Sequence, residues 1–85
     1  MHRIDKNSTL WTLAMELAPR QLEIARLHEE AQRTAYPQSE ALVDRAEAIA
    51  DAHRDLEDEL EFWAMGANVF PWDVLDAAKA AHLAA

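Results

Sequence analysis

Apolar residues recur along the first part of the chain at Leu10, Leu13, Leu17, Ile24, Leu27 and Ala31. Their steps of three and four residues, with Arg20 in the one skipped slot, form a heptad seam. The seam predicts a helix over 9–35, with Ser8 or Thr9 as its cap. Pro19 interrupts it, because proline removes a backbone donor and disfavours helical angles at Ala18. The helix is therefore expected to be kinked or broken near 18–19.

Tyr36-Pro37-Gln38-Ser39 reads as a tight turn in which Ser39 caps a second helix over 39–65. The seam of that helix is Leu42, Ala46, Ile49, His53, Leu56, Leu60 and Trp63, alternating four and three without a fault. Gly66 is the expected stop. Two helices of about 27 residues, each roughly 40 Å long, joined by a short turn, predict an antiparallel helical hairpin. Folding it about residues 37–38 sets Glu30 against Arg45 and Arg20 against Asp55. A short third C-terminal helix should cover 71–83, opened by Pro71, with Asp73 in its first turn and Lys79 and His82 near its end. Trp11, Trp63, Phe70 and Trp72 meet at the open end of this hairpin, which predicts an aromatic cluster pinning the third helix in place.

Composition supports an all-α fold and a single domain: 85 residues hold 18 alanines and one glycine. A chain this small struggles to stabilise one core by itself. The first helix carries a second stripe, Trp11, Ala14, Ala18, Leu22 and Ala25, that one partner helix leaves uncovered. A homodimeric helical bundle would bury it, with Trp11, Leu22, Phe70 and Trp72 as candidate dimer or aromatic anchors.

Charge changes the picture most. The net charge is −8, and residues 40–61 alone carry nine acids against Arg45 and Arg54. Glu40, Asp44, Glu47, Asp51, Asp55 and Asp58, thickened by Glu59, follow the face of the second helix opposite its seam. Such a face repels nucleic acid and attracts a basic protein. The expected function is a non-enzymatic protein–protein interaction module with an acidic docking face. The alternative is an inhibitor whose helix imitates nucleic-acid phosphates and blocks a basic site on its partner. The comparison with small phage and plasmid inhibitors, anti-CRISPR and DNA-mimic proteins among them, is one of size and charge only.

Other chemistry finds little footing. His2, His28, His53 and His82 lack the Glu-x-x-His or His-Glu-x-x-His spacing of a helical metal site, and there is no cysteine. No serine or cysteine nucleophile sits beside a histidine, and no glycine-rich loop offers to hold phosphate. Neither catalysis, a metal nor a cofactor is expected. His53 reads as a polar residue fixing register in the seam. No apolar run is long enough to cross a bilayer, and the opening residues lack a signal-peptide core. With no cysteine, a cytoplasmic setting is expected.

Overall fold

The computed structural model describes residues 8–84, and every regular element among them is a helix: α1 (Thr9–Gln32), α2 (Gln38–Ala52), α3 (Arg54–Ala67) and α4 (Pro71–Ala84). α1 packs against all three others, most extensively against α2 and α4.

The Ser8 hydroxyl caps α1 by accepting the Trp11 backbone N–H at 3.1 Å. That bond satisfies one of the donors that a helix start leaves unpaired. α1 then runs unbroken through Pro19, so the split that the proline suggested does not occur. The ring is exposed, while Leu17 and Ala18 just before it are fully buried. Their packing offsets the one lost backbone bond. α1 stops three residues earlier than its pattern suggested. Arg33 and Thr34 donate to the Glu30 and Ala31 carbonyls at 3.1 and 3.3 Å, a three-residue spacing that tightens and closes the last turn. Ser39 is no cap: α2 begins at Gln38, Pro37 holds the cap position, and no side chain bonds there. The Tyr36–Pro37 peptide is cis.

The expected continuous helix over 39–65 is two helices meeting at His53, whose backbone sits at φ −119°, ψ 12°. The His53 N–H bonds to the Ala50 carbonyl at 3.2 Å. Its imidazole Nδ1 donates to the Ile49 carbonyl at 2.6 Å. A side chain thus takes over a bond that the backbone would have made, which is how a polar residue competes with a helix. The apolar steps pass through this point without a fault, so periodicity gave no sign of the break. Its consequence lies downstream. Leu60 and Ala64 are buried, whereas Trp63, expected in the seam, is 43% exposed.

Gly66 is likewise not the stop. α3 continues to Ala67, and Asn68 takes the left-handed conformation at φ 58°. The Val69 N–H reaches the Ala64 carbonyl at 3.0 Å and the Asn68 N–H reaches the Met65 carbonyl at 3.2 Å. These two bonds form a Schellman closure, with asparagine in the place glycine usually holds. Pro71 opens α4 as expected, with Asp73 in the first turn and His82 in the last.

One buried cluster joins Leu10, Leu13, Ala14, Leu17 and Ala18 of α1 to Leu60 and Ala64 of α3 and to Val74 and Ala78 of α4. Trp11, Met15, Leu56, Val69 and Leu75 pack around it. Ala14 and Ala18, two of the five residues of the stripe expected to await a second copy, are therefore covered within the chain. Towards the other end only Leu27 and Ala46 are buried.

Candidate docking surfaces

Glu40, Asp44, Glu47 and Asp51 project from α2, and Asp55, Asp58 and Glu59 from α3; all seven are exposed. Helical spacing of three and four keeps each set on one side of its helix. The turn at His53 divides the expected single stripe into two runs, one on each helix. Asp51 is engaged by Arg54 at 2.6 Å across that turn.

The remaining ion pairs among the described residues join neighbours three or four positions apart, on α1 and its cap or on α4. Arg26 grips Glu23 with two bonds, Nε at 2.9 Å and Nη2 at 2.7 Å, and reaches Glu30 at 2.9 Å. Arg33 pairs with Glu29, and Lys79 lies 3.4 Å from Asp76. The expected cross-helix pairs are not what forms: Glu30 takes Arg26 rather than Arg45, and no bridge joins Arg20 to Asp55. Neighbours three or four apart already face each other, so they meet with less ordering of long side chains. The Arg26 hydrogen bond holds the Glu23 carboxyl below its usual range against the opposing effect of desolvation, helped less by the charges of Arg26 and Arg45. The same contact raises Arg26. Arg20 is half-buried, and its Nη1 has no hydrogen-bond partner.

The aromatic residues do not form one cluster. Phe62 and Trp63 meet edge to face with ring centroids 6.1 Å apart. Phe70 and Trp72 stack at 4.6 Å, their planes 12° apart. Trp11 and Leu22 are half-buried, whereas Phe70 and Trp72 are more than half exposed. The four anchor candidates therefore do not share one surface role. Met65, at 81% exposed, belongs with the exposed pair and was missed by sequence reasoning. Its signal was available: Met65 lies one heptad after Asp58, on the face opposite the buried Leu60 and Ala64.

Among the described residues, no group of three histidines or acids is placed to hold a metal ion, and no helix is long and apolar enough to cross a membrane. His2 lies outside the described residues. Comparison with protein-family models, curated proteins and solved structures finds no match to the chain.

Proposed function

We propose that the protein is a non-enzymatic protein-binding module whose acidic face, carried on α2 and α3, engages a basic partner. The observation that carries this reading is the exposure of Glu40, Asp44, Glu47, Asp51, Asp55, Asp58 and Glu59, all seven of them. A face of one sign raises the encounter rate with an oppositely charged protein and suppresses like-charged competitors. A setting without disulfide chemistry, such as the cytoplasm, suits a chain lacking cysteine.

The test is capture of partners from the producing organism at low and high salt, with the wild-type chain and with Asp51→Asn, Asp55→Asn and Asp58→Asn combined. The wild type should retain a basic protein at low salt and release it at high salt, and the triple variant should retain none. Equal capture by both chains would sink the proposal.

Imitation of nucleic-acid phosphates is a second form of the same idea. The unbroken exposure of the seven carboxylates favours it, and the turn at His53 weakens it, because a straight ladder of charge is lost. It requires that the captured protein release its nucleic acid when this chain binds. Pairing of two copies through α1 has lost part of its footing to α4, so a homodimer would need the exposed residues of α3 and α4 instead.

A further inference from the structure

Among the described residues, seven large apolar side chains stand exposed, and five of them fall within residues 62–72: Phe62, Trp63, Met65, Phe70 and Trp72. Single exposed apolar residues are ordinary on a protein surface, but a concentration of them marks a contact site. Met65, Phe70 and Trp72 line an open cleft of about 420 Å³ in the elbow between α3 and α4, together with Glu61, Asn68, Val69 and Pro71. The stacked rings of Phe70 and Trp72 make one of its flat walls. The outward face of α3 carries Asp55, Asp58, Phe62 and Met65 at spacings of three, four and three, so acid and apolar contacts point the same way.

Charge decides between occupants. Residues 54–76 hold seven carboxylates and one base, Arg54, which is already paired with Asp51. A second copy would set seven carboxylates against seven. An anionic membrane or a nucleic acid would meet the same repulsion. A purely apolar segment would desolvate the rim carboxylates without giving them partners.

We propose that the elbow is a docking groove for a cationic amphipathic segment of another protein, an inference that rests on the acidic-face reading above and specifies its partner. One apolar side chain enters between Met65 and Trp72. Lysine or arginine residues one or two turns away lie along Asp58 and Asp55. The exposed faces of Phe70 and Trp72 also suit a guanidinium.

Calorimetry and nuclear magnetic resonance on the full chain test this with two synthetic peptides of equal length and charge. One carries leucine and lysine at helical spacing; in the other, oligolysine with serine replaces the leucines. The leucine–lysine peptide should bind at least tenfold tighter. It should shift the indole N–H signals of Trp63 and Trp72 and leave that of Trp11 in place. Met65→Ser and Phe70→Ser, both at exposed positions, should each remove most of the tenfold advantage without changing the affinity for the lysine–serine peptide. Asp55→Asn combined with Asp58→Asn should weaken both peptides. Equal affinity for the two peptides, or an advantage that survives both serine variants, overturns the groove and leaves the acidic docking face standing. Binding of neither peptide at low salt overturns both. A concentration-dependent dimer in sedimentation equilibrium, with the Trp72 signal moving on dilution, gives the groove to a second copy and also overturns the proposal.

Discussion

The two ends of α1 are packed differently. Its first half, Leu10 to Ala18, is covered by both α3 and α4 and supplies five members of the buried cluster. Its second half faces α2, and there only Leu27 of α1 and Ala46 of α2 are fully buried. The ion pairs of α1 and its cap show the opposite distribution: Glu23–Arg26–Glu30 and Glu29–Arg33 all lie towards the second half. One helix covered by two others can bury two stripes, whereas one covered by a single partner buries only one. Exposed ion pairs add little to make up that difference. Stability is therefore expected to concentrate at the three-helix end, which is also where the elbow is built.

Core truncations should separate the ends most clearly. Leu17→Ala or Leu60→Ala should each cost about 3–5 kcal/mol in chemical denaturation, because each leaves a cavity inside the cluster. Leu27→Ala should cost about 2 kcal/mol, since its half-exposed neighbours can close around the gap. Equal losses at Leu17 and Leu27 would show the two ends to be equally packed. The closure of α3 comes next. Asn68→Val should cost about 1–2 kcal/mol, because a branched side chain resists the left-handed conformation. Nearby, a Cβ at Gly66 would meet nothing within 4 Å, so Gly66→Ala should raise stability by about 0.5–1 kcal/mol in the same measurement.

Arg20 lies where the two ends join. Its unpartnered Nη1 is a buried donor left unsatisfied, and a leucine there would complete the seam. Arg20→Leu should therefore stabilise by about 1 kcal/mol; a loss would mean the guanidinium contributes more than its missing bond suggests. The smallest effect belongs to the ion pairs. In Arg26→Gln, the Glu23 carboxyl should titrate closer to an ordinary glutamate, as read by carboxyl carbon shifts against pH. A carboxyl held low when folded adds stability above its unfolded pKa and loses it as pH falls through the folded value. Because Glu23 is only half-buried and its partner Arg26 is exposed, the melting temperature should scarcely move between wild type and variant at neutral pH.

The periodic apolar steps, the alanine content and the polar caps were enough to set helix type, the approximate positions of α1 and α4, and the exposure of every acid on the 40–59 face. Each of these follows from neighbours a turn apart. The ends of elements were less legible. Gly66 looked like a stop, yet Asn68 forms it, because Val69 must reach back to Ala64 while its side chain packs on the cluster. The docking elbow was legible only in part. Phe70 and Trp72 stood out as candidate aromatic anchors, but Met65 and the loss of Trp63 from the core depended on where α3 turned.

What the sequence by itself determined, then, was an all-helical chain with its negative charge turned outward, since hydrophobic period and solvation act residue by residue. Only the tertiary structure decided that Pro19 would be carried inside a helix, that His53 would end one, and that α4 would cover Ala14 and Ala18. Those outcomes weigh a local backbone bond against burial by residues forty or more positions away, a balance that no local window contains.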